Sequence, residues 1–194
     1  MISFDIVSLD LFSTLVYVDR KTFNPFQAMK TAFLQLDEFI EQSNLVDEII
    51  KSYYGKVRKE MHNFEKEAEF SNESILLEVC KEKNILPTSH LEEVTAKIIA
   101  SYFDSALPII RPYPDLHETM IFLREKGYTL VLTSNHSYPP NGWAVLRKYK
   151  LDQYFHRIVF SGEIGWKKPS KKIFIQAFKG LKYSSKNRII HIGD

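Results

Sequence analysis

Apolar residues follow two different repeat patterns along this chain. A run rich in β-branched residues opens it, and similar short runs return at residues 128–133, 157–160 and 188–192. Between these runs, apolar residues recur every three or four positions, as they do along one face of a helix. Short apolar runs bounded by turn residues are typical of strands. The pattern therefore predicts strands separated by helices.

One long stretch carries only the helical repeat. Four amphipathic series follow one another there, with no strand pattern among them. The first begins at Asn24-Pro25, where Asn is a favoured cap and Pro is favoured in the first turn. We therefore predict an α-helical insert of four helices over residues 21–106. It divides an α/β core into residues 1–20 and 107–194.

The core pattern predicts where a ligand would bind. Strands that alternate with helices predict a mostly parallel sheet covered on both faces. Ligands of such sheets bind beyond the carboxyl ends of the strands. Two connections stand out in the core, namely a stiff proline-rich link after residue 107 and a polar turn over residues 161–169. Four residues at or just after strand ends are expected to converge on one crevice: Asp10, Ser134, Lys168 and Asp194.

Composition and charge argue against two classes of binding partner, nucleic acids and membranes. With 194 residues, 44% hydrophobic and 26% charged, the chain is long enough for one sizeable core plus an insert. The net charge is only +2, and the basic residues are spread among acidic ones, so we expect no nucleic-acid partner. No run approaches the ~20 apolar residues of a membrane helix, so we expect no membrane partner. The sequence pattern does not indicate whether the protein is a monomer or an oligomer.

The single cysteine and the first residues of the sequence indicate in which cellular compartment the protein is expected. Cys80 cannot form an internal disulfide, and it lies in an apolar helical pattern that predicts a buried thiol. Asp5 and Asp10 interrupt the apolar opening, and no basic leader precedes it, which argues against a signal peptide. We therefore expect a cytoplasmic protein.

Four short motifs resemble, in this order, those of the haloacid dehalogenase superfamily. They are Leu9–Leu15, Leu132–Asn135, Gly165–Pro169 and His191–Asp194. The stretch Tyr154–Gly165 is also similar to the family's usual approach to its lysine. A helical insert between the first two motifs is similar to the cap of the dehalogenase-like subgroup. The resemblance implies a Rossmann-like parallel-sheet core with an inserted four-helix cap.

The resemblance also implies a hydrolase that acts on small phosphate esters. Asp10 would attack phosphorus to form an aspartyl-phosphate, which water then cleaves. Ser134 would offer a hydroxyl donor and Lys168 a positive charge to the phosphoryl group. Asn135 would join them in binding the substrate. The implied partner is a phosphorylated small molecule.

One Mg²⁺ ion belongs to the same family pattern. Its ligands would be the Asp10 carboxylate, the Phe12 backbone carbonyl and the Asp194 carboxylate. Mg²⁺ takes a few carboxylate and carbonyl oxygens and keeps several waters. Two carboxylates brought together without a cation would repel each other, so a bound cation would resolve their contact.

Phe12 departs from the phosphatase pattern, in which a second Asp two residues after the nucleophile acts as general acid. A phenyl ring cannot transfer a proton, and loss of such assistance typically lowers the rate by about 10²–10⁴. Two histidines near strand ends, His136 and His191, have ordinary pKa values that suit this role. An aromatic residue here is similar to the metal-free 2-haloacid dehalogenases, which use a cap arginine. Arg20 and Arg58 are the candidates for that arginine.

Three hypotheses therefore stay open. The first is a Mg²⁺-dependent hydrolase of small phosphate esters. The second is a 2-haloacid dehalogenase, which Phe12 favours and the metal-binding residue Asp194 opposes. The third is a non-catalytic family member that binds a ligand or partner, suggested by Phe12 and by the end of the sequence at residue 194. The family continues beyond its fourth motif, so the sequence is expected to be a fragment.

Overall fold

A computed structural model describes most of the chain as two compact units. The described residues are 5–36, 43–63, 65–84, 90–182 and 188–193. The first unit comprises Met1–Val18, Glu67–Glu69 and Ile110–Asp194. The second comprises Asp19–Lys66 and Phe70–Ile109. All described strands belong to the first unit, and four long helices belong to the second.

The first unit is built on a parallel sheet. The strands of the described residues are β1 (Ile6–Leu9), β2 (Val16–Val18), β3 (Ile110–Pro112), β4 (Thr129–Ser134), β5 (Arg157–Phe160) and β6 (Ile189–Ile192). Four of them form the sheet in the order β5-β4-β1-β6, and each neighbouring pair is parallel. Strand β1 lies between β4 and β6 and is buried along its whole length, as expected of a central strand in a parallel sheet whose faces are covered. The predicted α/β fold with a parallel sheet is confirmed.

Helices complete the first unit. Within the described residues they are α5 (Leu116–Glu125), α6 (Pro139–Lys148), α7 (Ser161–Ile164) and α8 (Lys171–Phe178), numbered after the four of the second unit. Gly127, with a φ of +82°, follows the end of α5, where a left-handed glycine is favoured. Helix α8 packs against the sheet through a buried cluster of Ile6, Val131, Val159, Ile173 and Ala177.

The second unit contains the predicted helical insert. Its helices are α1 (Pro25–Leu34), α2 (Ser43–Met61), α3 (Asn72–Glu82) and α4 (Leu91–Ala106). Helix α1 begins as predicted, because the Asn24 side chain accepts the N–H of Gln27 at 3.1 Å and Pro25 occupies the first turn. Cys80 in α3 is fully buried, and burial raises the pKa of its thiol to about 12. None of the described helices is both long and apolar enough to cross a membrane.

Two connections differ from the sequence-based prediction. The proline-rich link after residue 107 contains β3, which pairs antiparallel with β2. The polar turn predicted over residues 161–169 begins with helix α7. Strand β3 has only three residues and ends at a proline, and α7 is a single helical turn, so neither carries the apolar run or the helical repeat that would distinguish it from a loop.

Candidate active site

Asp10 and Lys168 form an ion pair at the carboxyl end of β1. Oδ2 of Asp10 lies 2.5 Å from Nζ of Lys168, and the two side chains are 7% and 9% exposed. Oδ1 of Asp10 accepts the N–H of Leu11 at 2.7 Å. Because little water reaches the pair, its charges attract each other more strongly than they would at the surface. Two predicted site residues that stand 158 positions apart in the sequence therefore meet.

A tight turn fixes the backbone that follows Asp10. The N–H groups of Leu15 and Val16 both donate to the carbonyl oxygen of Leu11, at 2.8 and 3.0 Å. The N–H of Ser13 donates to the carbonyl oxygen of Val16 at 2.8 Å, and Ser13 has a φ of +60°. The N–H of Asp10 itself donates to the carbonyl oxygen of Ile192 in β6 at 3.0 Å. The turn and this bond to a neighbouring strand therefore hold Asp10 at the edge of the sheet.

The loop that carries Lys168 is fixed by the Asn135 side chain. Oδ1 of Asn135 accepts the N–H of Lys168 at 2.6 Å, and Nδ2 donates to the carbonyl oxygen of Lys168 at 3.2 Å. Asn135 follows β4 directly, so the amide ties the lysine loop to a strand next to β1. The sequence predicts that Asn135 binds substrate. Its contact with the Lys168 backbone is an additional role that the sequence analysis missed.

Ser134 ends β4 at the same edge of the sheet. Its side chain is 1% exposed, and its Oγ has no hydrogen-bond partner among the described residues. A buried hydroxyl without a partner is energetically unfavourable and is uncommon in folded proteins. Among the described residues this hydroxyl has no acceptor, so it is available to a bound group, and its binding of a phosphoryl group stays a prediction.

The predicted Mg²⁺ ligands are only partly described. Asp10 and Phe12 share the turn after β1, whereas Asp194 lies outside the described residues. Within the part of the chain that the structure describes, no three His, Cys, Asp or Glu side chains form a metal-binding group. A Cβ atom on Gly193 would stand 2.6 Å from Cβ of Asp10, so the backbone just before Asp194 touches the predicted nucleophile. Carboxylate and carbonyl oxygens suit Mg²⁺, and the donor types fit the ion.

The ring of Phe12 packs against a neutral histidine. The centroids of Phe12 and His136 lie 4.9 Å apart, and those of His136 and Phe160 lie 5.9 Å apart. Burial lowers the pKa of His136 to about 4, against a smaller opposing effect of its hydrogen bond to Asn141. A histidine with this pKa is neutral near pH 7, so it carries no imidazolium proton to donate. His136 therefore does not fit the role of general acid that its ordinary pKa suggests.

A chain of polar side chains, fully buried at Ser8 and Thr133 and partly buried at His191, crosses the sheet two residues before Asp10. Oγ of Ser8 donates to Oγ1 of Thr133 at 3.0 Å, and Nδ1 of His191 lies 3.0 Å from Oγ of Ser8. Burial lowers the pKa of His191, the charge of Lys168 lowers it further, and Asp10 opposes the shift. The second candidate acid is therefore also biased toward its neutral form. The sequence analysis missed Ser8 and Thr133, although polar residues inside apolar strands are a usable signal.

Comparisons with known proteins identify the family. A family model described as haloacid dehalogenase-like hydrolase matches residues 4–194. The chain belongs to this family. The glyceraldehyde 3-phosphate phosphatase of Methanopyrus kandleri is 33% identical to it over 102 residues, which cover 53% of this chain and 43% of that protein. The protein of the same name from Methanothermobacter thermautotrophicus is 29% identical over 102 residues, covering 50% of this chain and 45% of that protein. The match therefore spans less than half the length of these relatives.

A solved structure shows the same fold over nearly the whole chain. The 2-haloacid dehalogenase from Pseudomonas syringae pv. Tomato DC3000 aligns with a TM-score of 0.67 and 18% sequence identity. The alignment covers 99% of this chain and 78% of that one. At this identity the likeness concerns the fold. The family resemblance inferred from the four motifs is thus confirmed, together with the fold class it implies.

Proposed function

We propose that this protein hydrolyses phosphate monoesters of small molecules, with Asp10 as the nucleophile. The observation that carries the proposal is the Asp10–Lys168 pair, 2.5 Å apart and nearly buried at the carboxyl edge of a parallel sheet. This edge is where α/β proteins of this kind bind their ligands. The two relatives named glyceraldehyde 3-phosphate phosphatase support a phosphorylated small molecule as the substrate class.

In the proposed reaction, a carboxylate oxygen of Asp10 attacks the phosphorus atom of the ester. The bond between phosphorus and the ester oxygen breaks, and that oxygen leaves with the electron pair. Water then attacks the phosphorus of the aspartyl-phosphate, which releases inorganic phosphate and restores the carboxylate. Lys168 offsets negative charge on the phosphoryl oxygens, and the Ser134 hydroxyl donates to one of them.

Three residues would hold a Mg²⁺ ion in this proposal: Asp10 and Asp194 by their carboxylates and Phe12 by its backbone carbonyl. When bound, the ion would supply positive charge against the phosphoryl oxygens. The contact of Gly193 with Asp10 supports the assignment, because it brings the residue before Asp194 against the nucleophile.

Phe12 determines which substrates would react well. It has no proton to give, and the nearby His136 is neutral because burial lowers its pKa. The leaving oxygen therefore takes its proton from water in this proposal. Esters whose leaving group is stable as an anion are expected to react fastest, since they need the least protonation in the transition state.

The test is hydrolysis of p-nitrophenyl phosphate with and without Mg²⁺. Its nitrophenolate leaving group needs little protonation, so the lack of an acid at Phe12 does not mask the nucleophile. We expect Mg²⁺-dependent turnover in the wild-type protein and none in Asp10→Asn. Asp104→Asn, which makes the same change at an exposed position in α4, is the matched control and should retain full activity. Folded protein without turnover would contradict the proposal.

A second candidate function, 2-haloacid dehalogenation, rests on Phe12. In that reaction Asp10 would attack carbon, and the halide would leave without a proton, so no general acid is needed. The two arginines that the sequence suggests for it, Arg20 and Arg58, are exposed and belong to the second unit. Chloride release from 2-chloropropionate in the presence of EDTA would favour this candidate. Folded protein inactive in both assays would favour the non-catalytic hypothesis.

A further inference from the structure

A three-residue segment between α2 and α3 is paired with the loop that carries Lys168. We call this segment, Glu67–Glu69, the strap. It groups with the first unit, although the helices before and after it in the sequence belong to the second. The sequence marks it only as a charged stretch between two amphipathic helices, which is usually a solvated turn. Its contacts indicate a more specific role.

The strap joins the lysine loop as a short antiparallel strand would. The N–H of Glu69 donates to the carbonyl oxygen of Gly165 at 3.0 Å. The N–H of Lys167 donates to the carbonyl oxygen of Glu67 at 2.9 Å. The two bonds flank an isolated antiparallel bridge, which is the geometry of a regular ladder. The backbone of the residue just before Lys168 is therefore held by the strap.

Each carboxylate of the strap accepts a hydroxyl at one end of the same loop. Glu69 accepts Oγ–H of Ser161, the first residue of α7, and Glu67 accepts Oγ–H of Ser170 at 2.9 Å. Both serines are fully buried. Ser161 also accepts the backbone N–H of His136 at 2.7 Å, and Ser170 is the N-cap of α8. The strap thus reaches the two points where the loop joins regular structure.

These contacts restrict the position of Lys168, because they bind the loop on both sides of it. Its N–H and carbonyl are bound by Asn135, its ammonium pairs with Asp10, and the strap fixes the loop on either side. Hydrogen bonds from hydroxyls to carboxylates are charge-assisted and stronger than neutral ones. Catalysis is sensitive to such support, since a displacement of about 1 Å at a reacting group can reduce the rate about 10²-fold.

We propose that Glu67 and Glu69 are positioning residues for Lys168. They hold the loop from Ser161 to Ser170 so that the lysine ammonium stays against the Asp10 carboxylate. The effect on turnover rests on the proposed phosphatase function, whereas the effect on the loop does not. Two measurements therefore test the positioning role of Glu67 and Glu69 separately from the proposed phosphatase function.

The first measurement is turnover of p-nitrophenyl phosphate by strap variants. We expect Glu69→Ala to lower kcat about tenfold. Glu69→Gln keeps an acceptor oxygen for the Ser161 hydroxyl and should recover most of the activity. Glu65→Ala, an exposed site just before the strap, should match the wild type. In a Lys168→Met background, Glu69→Ala should cause no further loss, since the strap acts through the lysine. A full additional tenfold loss in that background would overturn the proposal.

The second measurement is amide hydrogen exchange in a peptide covering residues 165–170. The Lys167 amide donates to the strap directly, and the Lys168 amide donates to Asn135. We expect both to exchange about tenfold faster in a Glu67→Ala, Glu69→Ala double variant, because local opening becomes easier. Peptides from β4 should keep their protection, which distinguishes loop release from global unfolding. Unchanged exchange at residues 165–170 would contradict the strap's role, whereas absent turnover in the wild type would contradict only the proposed function.

Discussion

The ammonium of Lys168 lies 2.5 Å from Oδ2 of Asp10, and both side chains are less than one-tenth exposed. In a site this dry, a fixed positive charge stabilises negative charge that develops in the transition state. Lys168→Met keeps most of the side-chain volume and removes the charge. We expect it to lower kcat for p-nitrophenyl phosphate by about 10²–10³. Steady-state kinetics on the folded variant is the measurement.

The control for this variant is Lys171→Met, which removes an exposed lysine at the start of α8. It changes the net charge equally, so any general electrostatic effect on the substrate appears in both proteins. The control should keep wild-type kcat. A Lys168→Met protein as active as the control would exclude a catalytic role for the lysine.

The strand ends of the site could be predicted from the sequence, and their side-chain contacts could not. Strands β1 and β4 are short apolar runs that stop at polar residues, and this placed Asp10 and Ser134 at one edge of a parallel sheet. The order of the four family motifs then implied that Lys168 joins them. Asn135 shows the limit, because an amide after a strand looks the same in sequence whether it binds a ligand or a backbone.

The strap could not be predicted for a different reason. Glu67 and Ser170 stand 103 positions apart, and a three-residue segment carries no hydrophobic period. Only the folded chain shows that the two meet. The same holds for Gly193, where the need for glycine comes from the close approach of Asp10, the residue that follows the neighbouring strand β1.

His136 should make stability depend on pH. Burial lowers its pKa from 6.5 to about 4, so the folded state prefers the neutral ring. Because the pKa is lower in the folded state than in the unfolded state, this stabilisation is complete above pH 6.5 and is lost as the pH falls toward 4. The linkage relation gives a loss of about 2 kcal/mol in the free energy of unfolding between pH 7 and pH 5.

Urea denaturation at pH 7 and pH 5 measures this loss, with His136→Phe as the non-titrating reference. The wild type should lose about 2 kcal/mol more than the variant over that interval. Carboxylates titrate in both proteins and cancel in the comparison. Equal losses would show that the histidine accepts a proton as easily in the folded state as in the unfolded one.

Gly193→Ala should lower the catalytic rate as well as the stability of the fold. Its φ of +154° disfavours a side chain, and the new Cβ would stand 2.6 Å from Cβ of Asp10. Gly180 is the matched control, with a φ of +74° and no heavy atom of the described residues within 4 Å of a Cβ there. Both variants should lose about 1 kcal/mol of stability through backbone strain. Only Gly193→Ala should also lower kcat, by about 10²-fold, because it displaces the nucleophile. Equal kcat values in the two variants would show that the close approach of Gly193 to Asp10 does not affect the nucleophile.

The hydroxyl of Ser8 links Thr133 and His191 inside the sheet, with both distances at 3.0 Å. Ser8→Ala removes this shared group and leaves polar atoms of two neighbouring strands with one fewer partner. Because Ser8 is fully buried, water cannot replace it without opening the sheet. We expect a loss of about 1–3 kcal/mol in the free energy of unfolding. Ser74→Ala, at an exposed position in α3, should change stability little.

A double-mutant cycle distinguishes the loss of the Ser8–Thr133 hydrogen bond from the simple loss of side-chain volume at Ser8. Thr133→Val removes the hydroxyl that accepts from Ser8 and keeps the shape of the side chain. If the two hydroxyls act together, the double variant should be more stable than the sum of the single effects predicts, by about 0.5–3 kcal/mol. Urea denaturation of the four proteins measures the difference. Strict additivity would mean that the Ser8–Thr133 hydrogen bond contributes nothing to the stability of the sheet, and that the polar contact of Ser8 worth testing next is the one with His191.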